Sequence, residues 1–202
     1  HYAGAVPSSS RLLSLINEAP EVCTSLLVNG YLRGRFAAWA VVGAFGDNLH
    51  DSARRLSVNI GLNEQQSEAL CELGELLNYN GYGESLTDLH FHPAELFTEL
   101  LEFESPFELI ENAAPALAAL RAGYAEDVAA CDQVETLLSN SVGVVKLLPN
   151  APWARRISGV WANQLARENP DSAVALLTEK AGGYLVSVRA PLSRRTGAAR
   201  LC

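Results

Sequence analysis

Phe36-Ala-Ala-Trp-Ala-Val-Val-Gly-Ala-Phe45 is an unbroken apolar run that stops at Gly46 and gives way at once to Asp47, Asn48, His50 and Asp51. With no charge inside it, the run reads as buried core. The polar cluster behind it is therefore set in a fixed place by a rigid element, the kind of support on which metal and small-molecule sites are built. If the run is helical, Asp47 lies just past its C-terminus, where the carbonyl ends are partially negative and a carboxylate is disfavoured. A carboxylate held there needs a cation or several donors. The alternative is local: Gly46 ends one helix, and Asp47 or Asn48 N-caps the next over Leu49–Val58.

Around that run the pattern predicts a largely helical first part. Residues 1–10 read as a Pro/Ser loop, and Leu12–Ile16 is an apolar run of strand length closed by Asn17-Glu-Ala-Pro20. Thr24–Leu32 has helical spacing, with Leu26, Leu27, Tyr31 and Leu32 on one side and Gly34 as its stop. Asn63 is placed to N-cap an amphipathic helix whose apolar positions are Ala69, Leu70, Leu73, Leu76 and Leu77. Asn78-Tyr-Asn-Gly-Tyr-Gly83 is a loop that either lies over a ligand or simply stops that helix.

His90-Phe-His92-Pro93 offers two imidazoles at alternate positions, a metal pair in one reading. In the other, Pro93 takes the first position of a helix over Ala94–Glu102, and the histidines serve the loop and its cap. From Pro106 to Leu138 the pattern is alanine-rich and helical, with breaks at Pro115 and Gly123.

The character changes at Ser139-Asn-Ser-Val-Gly143. Val142–Leu148 is strand-like, and Trp153–Glu168 is helical with Trp161 and Leu165 apolar. Ala173–Thr178 and Tyr184–Arg189 flank Gly182-Gly183 as a hairpin. The fold class is α/β, a mostly helical part followed by a smaller mixed α/β part, with the boundary near residue 140.

An apolar fraction of 49% over 202 residues suffices for a packed core. No window is long and apolar enough to span a bilayer, and the first residues lack the basic start of a secretory signal. Cys23, Cys71, Cys131 and Cys202 are widely spaced and read as reduced thiols of a cytoplasmic protein. A chain with no methionine that starts and stops in mid-pattern reads as a piece of a longer protein.

The net charge of −8 argues against a general polyanion binder, but the charge is uneven. Residues 189–202 hold Arg189, Arg194, Arg195 and Arg200 and no acid, so the remainder carries 11 basic groups against 23 acidic ones. A local basic cluster on an acidic chain suits a small anionic ligand better than a long nucleic-acid track. The other reading is a solvated tail.

In order along the chain, His1-Tyr-Ala-Gly4, the helix with Cys23-Thr-Ser25, and the apolar helix ending in Gly46-Asp47-Asn48 resemble successive motifs of the DHH phosphoesterase family. Tyr184-Leu-Val-Ser-Val-Arg189 resembles the Ser-x-Arg strand of that family's associated C-terminal domain. The resemblance implies that residues 1–112 are the C-terminal part of a parallel-sheet DHH domain and 113–140 a helical linker. Residues 141–202 would be a truncated DHH-associated domain.

It also implies a two-lobed, manganese-dependent phosphoesterase for a nucleotide, a cyclic dinucleotide or a short oligonucleotide. No long duplex and no membrane would be involved, and a homodimer is compatible with it. Asp47 would ligate manganese, His1 would be the last histidine of the signature near the scissile phosphate, and Arg189 would bind substrate. Hard divalent ions choose carboxylate and imidazole, and arginine offers a planar fork to phosphate.

The family's upstream aspartates and its glycine-rich loop are not in this chain, and the threonine-glycine that often follows the motif aspartate is replaced. The resemblance therefore implies a fragment that binds manganese weakly and is inactive alone. Two other readings share the residues: a non-catalytic nucleotide-binding or interaction module of the same fold, and a purely helical interaction domain in which Asp47 is only a cap.

Overall fold

The structure is a computed structural model that describes residues 9–112, 114–191, 193 and 198. Its chain divides into two compact units, neither of them one continuous stretch. The first comprises the described residues up to Leu77 together with Thr98–Leu117. The second comprises Asn78–Phe97 and the described residues from Ala118 onward.

In the first unit the apolar run forms α2 (Ala37–Gly46), preceded by α1 (Thr24–Tyr31) and followed by α3 (His50–Asn59) and the start of α4 (Glu64–Tyr79). Six of the ten residues of α2 are buried, including Val41 and Phe45, as expected of a helix apolar on most sides. They pack in a core with Ala53, Leu70, Leu73 and Leu109. Asn63 caps α4 as its position predicts: its Oδ1 accepts from Gln66 N at 2.8 Å, and Gln66 Oε1 accepts from Asn63 N at 3.0 Å. A Cβ on Gly74 of α4 would collide with the Val42 carbonyl and crowd Gly46 N, so the backbones of α4 and α2 meet there. Further along lie α5 (Pro93–Leu100), which the chain enters from the second unit, and α6 (Pro106–Glu111).

In the second unit α7 (Pro115–Cys131) leads into strands β1 (Glu135–Ser139) and β2 (Gly143–Leu148). The helix α8 (Pro152–Glu168) then crosses to β3 (Ala173–Lys180), and β4 (Gly183–Arg189) returns. The sheet order is β1-β2-β3-β4, with β2 and β3 parallel and both outer pairs antiparallel. Val174, Leu176 and Thr178 alternate inward along β3. Leu176 and Leu148 join Ile157, Val160 and Trp161 of α8 in one core. The mixed α/β class and the Gly182-Gly183 hairpin are as the pattern predicts.

Several expectations fail, among them the break at Gly123, through which α7 runs unbroken. Leu12–Ile16 is no strand: it has no regular structure, and Leu12, Leu13, Leu15 and Ile16 are exposed. The helical pattern expected to reach Leu138 stops at Cys131, and Glu135–Ser139 pairs instead with β2 as an edge strand. A purely helical domain is excluded by the four-stranded sheet.

Candidate functional site

Asp47 is the C-terminal cap of α2, its N–H donating to Gly43 O at 3.0 Å. Asn48 follows at φ 59, in the left-handed region. Asn48 N then donates to Phe45 O and Leu49 N to Ala44 O, the paired bonds of a Schellman ending with asparagine in the usual glycine place. The N-cap of α3 is Leu49, so the expected capping of that helix by Asp47 or Asn48 is not what the chain does. Asparagine tolerates a left-handed backbone better than most residues, and taking it up spends Asn48 on closing α2. Asp47 is exposed as a residue, yet partial burial of its carboxyl raises its pKa above 3.8. The carboxylate thus lies at the negative end of a helix, in a place where cost falls when a cation is near.

Cys23 and Ser25 have a packing role. Their side chains touch at 3.0 Å, and Ser25 lies against Gly43 of α2, where a Cβ would crowd its Oγ. His1 lies outside the described residues, as do Arg194, Arg195 and Arg200.

Arg189 ends β4 in the second unit. Its Nε donates to Asn163 Oδ1 at 2.7 Å, and its Nη1 donates to Ser187 Oγ at 3.1 Å and to the Val188 carbonyl. The guanidinium is thereby oriented by α8 and by its own strand.

The two histidines of His90-Phe-His92 go to different partners, which removes the paired-ligand reading. His92 Nδ1 accepts from Ala94 N at 3.2 Å and closes the first turn of α5. His90 Nε2 lies 2.8 Å from Tyr79 Oη.

That tyrosine belongs to a network sequence reasoning did not find. Its hydroxyl donates to Asp127 Oδ2, and Arg156 binds the same carboxylate through Nε at 2.8 Å and Nη2 at 2.9 Å. Because the only hydroxyl proton goes to Asp127, His90 must present Nε2–H to the Tyr79 oxygen. Burial holds the His90 imidazole below 6.5, in keeping with a neutral ring. Burial and the Asp127 carboxylate together raise the Tyr79 phenol above its ordinary value.

Beside this network, Arg155 binds Asp88 through Nε at 2.8 Å and Nη2 at 2.7 Å. Asn80 Oδ1 accepts from His90 N and Phe91 N at 3.1 Å each. The loop after α4 is therefore tied down by two arginines and an asparagine. Its signals in the sequence were Arg155-Arg156 inside a helix and the buried aspartates they face, separated from them by up to 67 positions.

A third grouping lies in the first unit, also unforeseen. His50 at the start of α3 lies against Cys71 and Glu75, one turn apart on α4. His50 Nδ1 is 3.9 Å from Cys71 Sγ and its Nε2 is 3.7 Å from Glu75 Oε1. Cysteine and glutamate four apart on a helix was the available signal.

No helix of the described residues is long and apolar enough to cross a membrane. No family model, no curated protein and no solved structure matches this chain.

Proposed function

We propose that the chain is part of a manganese-dependent phosphoesterase of the DHH kind, acting on a nucleotide, a cyclic dinucleotide or a short oligonucleotide. The observation that carries the reading is Asp47. A carboxylate stationed at the C-terminal end of a buried helix, its backbone fixed by a Schellman ending and its pKa raised by burial, is stabilised by a cation.

In this reading Asp47 holds manganese, with the family's other ligands supplied by residues that precede His1 in that family's order. Manganese held there would supply an activated water and charge stabilisation for an in-line displacement at phosphorus. Arg189 binds a phosphate of the substrate, its fork oriented in advance by Asn163 and Ser187. His1 takes the part of the last signature histidine, which in that family serves near the scissile phosphate. The parallel β2–β3 pair and the arginine-ended β4 support the assignment of residues 141–202 to a truncated DHH-associated domain.

In the full-length protein, Asp47→Asn is expected to abolish manganese-dependent release of phosphate from a panel of nucleotides and short oligonucleotides. Its circular dichroism and unfolding midpoint should stay unchanged. Turnover equal to that of the parent would remove Asp47 from the metal site and the reading with it.

A further inference from the structure

The His50–Cys71–Glu75 grouping has the chemistry of a different metal. A thiolate with an imidazole and a carboxylate suits zinc, whereas manganese, magnesium and calcium prefer oxygen-rich shells. At zinc bond lengths of about 2.0–2.3 Å, two ligands of a tetrahedron stand about 3.3–3.8 Å apart. The contacts of 3.7 and 3.9 Å that join His50 to Glu75 and Cys71 fall within a few tenths of that range.

These contacts end on different ring nitrogens, so loading an ion swings the imidazole until one nitrogen serves. With a single nitrogen taken, the three ligand atoms already lie within 4.8 Å of one another. The ring packs edge-on against Phe45, with 5.5 Å between centroids, which limits how far it must move.

A second observation points the same way. Cys71 and Glu75 line a cavity of about 270 Å³ that is also bordered by Glu68, Glu72 and Arg54. Three carboxylates against one guanidinium make its walls attractive to a cation, and the cavity gives an entry path and room for a fourth, exchangeable ligand. Three protein ligands with one open position is the pattern of zinc sites that keep a water or small molecule bound.

We propose that His50, Cys71 and Glu75 bind one zinc ion, with its fourth position open to this cavity. The ion joins the start of α3 to the middle of α4. The inference is independent of the phosphoesterase reading.

Cobalt reports the site through a thiolate-to-metal charge-transfer absorption that no carboxylate–imidazole site produces. Full-length protein stripped with chelator should develop that band with one equivalent of cobalt and lose it when zinc is added. Cys71→Ser should abolish the band, and Asp47→Asn should leave it intact. Glu75→Gln, on a partly exposed side chain that tolerates the change, should keep the band. It should weaken cobalt binding by at least the roughly 10–100-fold that losing a supporting residue costs at zinc sites. A chain that gives no band, a band that survives Cys71→Ser, or a Glu75→Gln affinity equal to the parent's would each overturn the assignment. Loss of phosphatase activity in Asp47→Asn with the band intact separates this site from the manganese site.

Discussion

Arg156 and Asp127 are joined by two parallel hydrogen bonds, with side-chain exposures of only 13% and 5%. Asp127→Asn leaves the guanidinium buried without its counter-charge, and about 3–5 kcal/mol of stability should be lost. Tyr79→Phe removes a donor to the same charged carboxylate and the acceptor of His90 Nε2–H, and should cost less, about 1.5–3 kcal/mol. Urea unfolding of the two variants ranks these losses, and equal midpoints would mean the ion pair is not what holds the loop.

Acid should act on the same residues. Burial keeps His90 below 6.5, so on acidification the unfolded chain takes up a proton there that the folded chain refuses. The Arg155 guanidinium holds the Asp88 carboxyl far below 3.8, so its stabilisation is complete above that value and is lost as pH falls beneath it. Both effects have one sign. Stability should decline from about pH 6.5 downward and more steeply below about pH 4, and Asp88→Asn should flatten the lower limb. A parent protein whose midpoint does not move between pH 7 and pH 4 would contradict the neutral His90.

At the level of elements, α2 and α4 depend on Gly74, where a methyl group would push against the Val42 carbonyl. Gly74→Ala gains helix propensity, but the backbone contact cannot give way as a flexible side chain would. A net loss of about 1–3 kcal/mol is expected, read from thermal or urea unfolding; a stabilised variant would show that the two helices separate freely.

The elements most legible in the sequence were those whose signal is local. These are the uncharged run of α2, the Asn63 cap of α4, α8, and the Gly182-Gly183 hairpin. β1 was not legible, because Leu137 and Leu138 are both exposed on an edge strand and show no in–out alternation. Only its partner β2 makes it a strand. The expected strand at Leu12–Ile16 erred the other way, since apolar residues alone do not supply a neighbour to pair with.

For the whole molecule, Asp47 was readable as a candidate because it closes an uncharged helix, and Arg189 only through the family resemblance of the strand it ends. The Tyr79–His90–Asp127–Arg156 network and the His50–Cys71–Glu75 grouping were not, because folding gathers them from separate helices and loops. On the proposed function, Arg189→Ala should raise KM with a smaller effect on kcat, since a pre-oriented fork on phosphate contributes to binding before and during reaction alike. An unaltered KM for every phosphorylated compound would release Arg189 from that role.

The residue boundaries of the two units carry a practical lesson for anyone dissecting this chain. A break between Leu77 and Asn78 severs α4, one between Phe97 and Thr98 severs α5, and one between Leu117 and Ala118 severs α7. A recombinant piece starting at Ala118 would keep Arg155 but leave Asp88 behind, together with Tyr79 and His90. Limited digestion or truncation is therefore a poor route to working halves, and binding or turnover experiments belong on the uncut polypeptide.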